Sequence, residues 1–150
     1  MAEVQGDDIR IHEVIAFKHD SADIQPKSRN VIAAVAELMN AHEEINFVEV
    51  AGHASKSGDA YYNRALTQRR ANAVMAALVE EGVDPYRLRA VGYGFYCELD
   101  SNNPDVNRRV EFKVMRRGGK RTKYTYTGGG CEGATDKGIK PQPIPDTAPR

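Results

Sequence analysis

The sequence is short of most features that announce a chemistry. Its 150 residues include only two cysteines, Cys97 and Cys131. Two cysteines so far apart cannot form a zinc site of the usual spacing, so they are either two free thiols or one disulfide, and a disulfide would imply an oxidising compartment. The histidines, His12, His19, His42 and His53, show no metal-ligand spacing, and no metal or cofactor is expected. Neither sign of charge is in excess, with 21 Lys+Arg against 21 Asp+Glu. That argues against nucleic acid as a partner, which a basic surplus would capture. No apolar run approaches the roughly 18 residues of a membrane span. The opening MAEVQGDDIR has neither the basic nor the apolar segment of a signal peptide. The chain therefore reads as a cytosolic protein or as an excised piece of a longer one. A nucleotide P-loop is not expected, because no G-K-[ST] follows the Gly-rich loop. A hydrolase built on His53 and Ser55 is not expected either, because the G-x-S-x-G elbow is missing.

What remains is a globular pattern, 41% hydrophobic and 28% charged, with enough chain for one domain and a tail. Residues 1–8 read as a disordered leader. IRIHEVIAF (9–17) alternates imperfectly and reads as a bulged strand. From Ser28 to about His42, Val31, Ile32, Val35, Leu38 and Met39 recur at helical spacing. INFVEVAG (45–52) is a strand with Val48 and Val50 on one face and Phe47 and Glu49 on the other. A second helix runs from about Asp59 to Glu81, with Leu66, Ala71, Val74, Met75 and Leu78 as its apolar stripe, and stops at Gly82. DPYRLRAVGYG (84–94) gives a turn and a third strand. RRVEFKVM (108–115) alternates cleanly, Val110, Phe112 and Val114 inward and Arg109, Glu111 and Lys113 toward solvent. The order β-α-β-α-β-β predicts an α+β fold: a two-layer sandwich with two helices on one face of a mixed four-stranded sheet. This domain spans 9–116. Residues 117–150 are a Gly/Pro-rich tail, able to dock through an edge strand at TKYTYT.

The stretch VEVAGHASKSGDAYYNRALTQRRANAVMAAL carries the site. At 100° per residue, Asn63, Thr67, Arg70 and Val74 fall within about 60° of one another, whereas Arg69 lies opposite the apolar stripe. Arg70 thus flanks the core at the mouth of the Gly52–Gly58 loop, its stem on apolar surface and its fork at the rim. A guanidinium there suits a carboxylate. The competing reading is an internal salt bridge to Asp20 or Asp59. His53, at a strand end, reads as structural, hydrogen-bonded to the loop backbone. Tyr93, Phe95 and Tyr96 read as packing.

GHASKSG, YNRALTQRRANAV, GYG and NRRVEF, in this order and with these spacings, resemble the OmpA-like, or peptidoglycan-associated, domain family over about Ile9 to Met115. IAFKHDSADIQP resembles the family's F-x-x-D-S-x-x-I segment. The resemblance implies a non-catalytic domain in the periplasm, associated with the outer membrane. It would anchor an outer-membrane protein or lipoprotein to the cell wall by holding the diaminopimelate stem peptide of peptidoglycan. Other envelope proteins are further candidate partners, and contact with a membrane would come only through parts absent from this chain. In the family, the arginine of L-[ST]-x-x-R-A meets the ligand carboxylate and the aspartate of G-H-x-D meets its amine. The first falls on Arg70, with Asn63 and Tyr62 from the preceding Y-N. The second falls on Ser55, a departure, and Lys18 is another where many members carry an acid. Asp20 or Asp59 would then have to face the amine. The binding set implied is Arg70, Asn63, Ser55, Asp20, Asp59, Gly52 and His53, while Asn107 and Arg108 would brace the sheet nearby. A periplasmic setting favours a Cys97–Cys131 disulfide, stapling the tail across the loop after the third strand. The rival reading keeps the fold as a structural or protein-interaction module whose peptidoglycan site is weakened at Ser55 and Lys18.

Overall fold

A computed structural model describes residues 2–56, 58–97 and 102–125. In chain order the strands and helices are β1 (Ala2–Gln5), β2 (Asp8–Ile11), α1 (Arg29–Ala41), β3 (Ile45–His53), α2 (Ala60–Glu80), β4 (Leu88–Gly92), the short α3 (Pro104–Asn107), β5 (Arg109–Arg117) and β6 (Lys120–Arg121). The sheet runs β1-β2-β5-β3-β4, with β6 also on β5. Strands β3 and β4 are parallel, joined through α2. β5 lies antiparallel between β2 and β3. The expected β-α-β-α-β-β order is present in β2-α1-β3-α2-β4-β5, and the sheet is mixed as expected.

Alternation decides which side chains meet the helices. Val48 and Val50 of β3 and Val110, Phe112 and Val114 of β5 point to one face. They bury against Val31, Ile32, Val35 and Met39 of α1 and Ala71, Val74 and Leu78 of α2. Both ends of α2 are set by local chemistry. Asp59 is the N-cap of α2, its carboxylate accepting from Tyr61 N at 2.8 Å. Beyond Glu81, Gly82 turns left-handed at φ 100°. Val83 N then donates to Leu78 O and Gly82 N to Val79 O, the double closure that seals a helix C-terminus.

Four expectations need correction. The leader at 1–8 is not disordered among its described residues: Ala2–Gln5 pairs antiparallel with β2 across a two-residue Gly6–Asp7 turn, with Gly6 at φ 61°. Val4 is the only strong strand former in AEVQ, so the strand depends on that turn and on Ala2 packing against the core. Secondly, the strand expected over 9–17 ends at Ile11; after it Ile15 is buried and Phe17 makes one bridge to Ile24. Thirdly, β1 and β6 widen the sheet beyond four strands; the start of the tail docks as expected, with Thr122 and Tyr124 buried, but its edge strand is β6 at Lys120–Arg121, and Lys123–Thr125 of TKYTYT is a 3-10 turn. The rest of the tail, Cys131 included, lies outside the described residues.

Finally, the face of β5 expected to be solvated is largely covered. Arg109 and Lys113 side chains are only 14% and 13% exposed. Lys113 Nζ bonds Asp8 at 2.7 Å and Glu111 carries His53, Arg109 and Lys113. Beside them Glu49, with no solvent exposure, accepts from Arg89 Nε at 2.8 Å and from the Tyr93 hydroxyl at 2.8 Å.

Candidate functional site

Helix α2 crosses the ends of β3 and β4 so closely that no side chain fits between. A Cβ on Gly52 would stand 2.6 Å from Thr67 O, and one on Gly92 would stand 2.2 Å from Gln68 N. Gln68 fastens the crossing, donating to Ala90 O at 2.9 Å and accepting from Gly92 N at 2.8 Å. Close contact here leaves a cavity of about 790 Å³ beyond it. Its walls are the loop between β2 and α1, the Gly52–Gly58 loop, the first turns of α2 and the start of β5.

The β2–α1 loop is a folded finger. Ala16 N donates to the Ser28 hydroxyl at 2.8 Å and Gln25 N to Ala16 O at 2.9 Å. Ser28 thus pins the finger instead of capping α1 by its side chain. The finger carries Phe17, Asp20 and Ser21 to Arg70. Arg70 Nε donates to Ser21 O at 2.8 Å, and its guanidinium carbon lies 4.9 Å from the centroid of the Phe17 ring. A cation over an aromatic face is held in place electrostatically. Burial lowers the guanidinium pKa, with Tyr62 and Asp20 pulling the other way. No carboxylate of the described residues reaches ion-pair distance, so the internal salt bridge to Asp20 or Asp59 is not formed.

Asp20 lines the same cavity in a left-handed conformation, φ 51°, which Asp tolerates better than most residues. His19 Nε2 lies 3.5 Å from its carboxylate; desolvation first, then the nearby Asp20 carboxylate, raises the Tyr62 pKa. Asn63 lines the wall and donates from Nδ2 to Asp59 O at 3.0 Å. Asp59 itself is not on the wall: its position before the helix is explained by capping. Lys18 is exposed and also off the wall, with its backbone N on Asp23 O.

At the other end Ser55, 6% exposed, accepts a hydrogen bond from Arg108 Nη1 at 3.0 Å. Arg108 Nη2 pairs with Asp105. His53 borders the cavity but does not bond the loop backbone as expected. Its ring stacks on Tyr93 at 5.3 Å and its Nε2 meets Glu111 at 3.0 Å. Burial lowers the His53 pKa despite that carboxylate, so the ring is neutral at pH 7, and the contact to a carboxylate assigns the proton to Nε2. Glu111 is pushed up by burial but held well below the usual carboxylate range by His53, Arg109 and Lys113.

Arg70, Asn63, Ser55, Asp20, Gly52 and His53 therefore come together on one cavity, and Asp59 does not. Sequence reasoning missed Phe17 under Arg70 and the Ser55–Arg108–Asp105 chain. The latter had a signal in NNPDVNRR: Asn103 caps and Pro104 starts α3, aiming Asp105 and Arg108 at one another three residues apart. Cys97 packs by Ala51, Val91 and Tyr93, but its expected partner Cys131 lies outside the described residues. Among the described residues no group of His, Cys, Asp and Glu could hold a metal ion, and no helix is long and apolar enough to cross a membrane.

A model described as OmpA family matches residues 16–111. "Outer membrane porin F" of Pseudomonas fluorescens is 38% identical over 110 residues, covering 71% of this chain and 33% of the porin. "Peptidoglycan-associated lipoprotein" of Pseudomonas putida is 35% identical over 101 residues, covering 65% of this chain and 60% of the lipoprotein. The solved OmpA-like domain of FopA1 from Francisella tularensis superposes with a TM-score of 0.60 at 27% identity, over 75% of this chain and 77% of that one. The chain thus spans less than two thirds of the length of these curated relatives.

Proposed function

This chain belongs to the OmpA family, and on that premise we propose that it is a non-catalytic module that holds peptidoglycan. It grips the carboxylate of the diaminopimelate stem peptide through Arg70 and anchors an outer-membrane protein or lipoprotein to the wall from the periplasm. One observation carries the reading. Arg70 is fixed by Ser21 O and Phe17 on a cavity wall, and no carboxylate of the described residues stands within ion-pair distance of it. A half-buried guanidinium so placed gains most from an anion brought by a ligand. The family name of the lipoprotein relative, "Peptidoglycan-associated lipoprotein", agrees with that partner.

The test is co-sedimentation with insoluble peptidoglycan. The parent is expected in the pellet, and Arg70→Ala is expected to weaken binding at least tenfold, the loss of a charge-assisted hydrogen bond. Equal sedimentation of the two would refute the role of Arg70. A second reading is favoured by Ser55 alone: with its hydroxyl on Arg108 and no acid at that position, the fold would serve as a protein-interaction module. A parent that stays in solution while Ser55→Asp co-sediments would select it. The same oxidising compartment would let Cys97 and Cys131 pair, stabilising the domain by about 3–4 kcal/mol. Two free thiols in a non-reducing mass measurement would exclude the bond.

A further inference from the structure

We propose that the cavity takes a carboxylate-bearing amino acid whose second nitrogen is an amide instead of an ammonium, as in a stem peptide already cross-linked through that nitrogen. The inference rests on the peptidoglycan reading and sharpens its ligand. Its basis is the Ser55 end. Ser55 Oγ accepts from Arg108 Nη1 at 3.0 Å, which leaves the hydroxyl hydrogen to donate. A guanidinium has donors only. This end of the cavity therefore offers two donors, the Ser55 hydroxyl and the guanidinium of Arg108, whose charge is paired with Asp105.

An ammonium also has donors only. Brought to Ser55, it would find one spare hydroxyl lone pair and compete with Arg108 for Asp105. The acid closest to that end, Asp105, is already paired with Arg108 and is 87% exposed, so its field is screened by solvent. The other acid on the wall, Asp20, sits at the Arg70 end, with His19 3.5 Å from its carboxylate. An amide changes the match. Its carbonyl oxygen accepts from the Ser55 hydroxyl and from Arg108, and it brings no charge to repel. Arg70 meanwhile keeps the carboxylate. The site then discriminates by an unfavourable contact with the free amine as much as by a favourable one with the amide.

Calorimetric titration of the full chain would use two soluble probes. One is the tripeptide L-Ala-γ-D-Glu-diaminopimelate with its side-chain amine free. The other is the same peptide acetylated on that amine. The parent is expected to bind the acetylated peptide about tenfold tighter, Ser55→Asp to reverse the order, and Ser55→Ala, which removes only the hydroxyl, to lose most of the preference. The parent's own ordering decides the matter even if Ser55→Asp does not fold. Equal or tighter binding of the free amine by the parent overturns the proposal while leaving the peptidoglycan reading in place. If neither peptide binds, or if Arg70→Ala binds both as the parent does, the peptidoglycan reading itself fails, and this inference with it.

Discussion

The two faces of the central sheet are both withdrawn from water, yet they are built from opposite chemistry. Toward the helices, β3 and β5 present Val48, Val50, Val110, Phe112 and Val114. Away from them the same strands present Glu49, His53, Arg109, Glu111 and Lys113, linked to one another and to Arg89, Tyr93 and Asp8. Apolar burial is non-directional and tolerates rearrangement, whereas a buried charge is tolerated only in one arrangement of partners. The first face is suited to holding the fold together. The second fixes register and the direction of the strand ends, and those ends deliver His53, Ser55 and Arg108 to the cavity.

The largest effect should come from the apolar face. Phe112 is 1% exposed and central to the core. Phe112→Ala is expected to cost about 3–5 kcal/mol in chemical denaturation. A cost below about 1 kcal/mol would mean that the polar face carries more of the stability than this comparison assigns to it.

The next effect separates breaking a buried pair from removing it. Glu49 has no exposure and Arg89 is 10% exposed. Burial raises the Glu49 pKa, and Arg89 and Tyr93 only partly counter it. Arg89→Met alone should destabilise by about 3 kcal/mol, since it strips a buried carboxylate of its cation. Glu49→Leu together with Arg89→Met should recover most of that loss. If the double variant is as unstable as the single one, the pair contributes net stability, and the division between the faces is wrong.

Much of this fold was legible, and the polar face shows where legibility stops. The apolar periods of α1, α2, β3 and β5 name their own buried sides, because burial of one stripe is a property of the element. Whether the opposite side meets water is not. Arg109, Glu111 and Lys113 alternate as solvated residues do, and nothing in RRVEFKVM says that Tyr93 and residues 120–125 return to that side. Strand β1 was hidden for a related reason: its pairing with β2, not its composition, makes it a strand. In the site, Arg70 was found by helical phase and Ser55 by its place in a motif. Arg108 was placed near the site by its motif, but its bond to Ser55 was not foreseen, nor was Phe17 under Arg70, since both depend on a finger and a short helix closing over the cavity.

The polar face should also set the acid response. His53 titrates ordinarily near 6.5 and burial lowers that value in the fold. The unfolded chain then binds a proton that the native chain does not, so stability falls as pH drops below about 6.5, by at most about 1.4 kcal/mol per pH unit. Glu111, whose pKa is lowered, adds its own loss only as pH falls below the usual glutamate range near 4.5. His53→Gln keeps a donor for Glu111 and removes the first titration. Its melting temperature should be flatter than the parent's between pH 7 and 5 and fall with it below pH 4.5. Parallel curves down to pH 5 would show that His53 is not the group responsible.

The smallest effect compares two aspartates at the cavity by the same rule of partners. Asp59 spends its carboxylate on Tyr61 N as a helix cap and stands off the wall. Asp20 stands on the wall with Tyr62, its carboxylate 3.5 Å from the exposed His19 ring. Asp59→Ala should lower stability by about 1 kcal/mol, as the loss of a cap does, and leave peptidoglycan co-sedimentation of the folded protein unchanged. Asp20→Asn keeps the finger but removes a negative charge beside Arg70. It should change stability little and alter binding by a few-fold, upward if Asp20 competes with the ligand carboxylate for Arg70 and downward if it holds a ligand amine. An Asp59→Ala variant that folds and loses binding would place that residue at the ligand after all, and would give the first turn of α2 a second task beyond starting the helix.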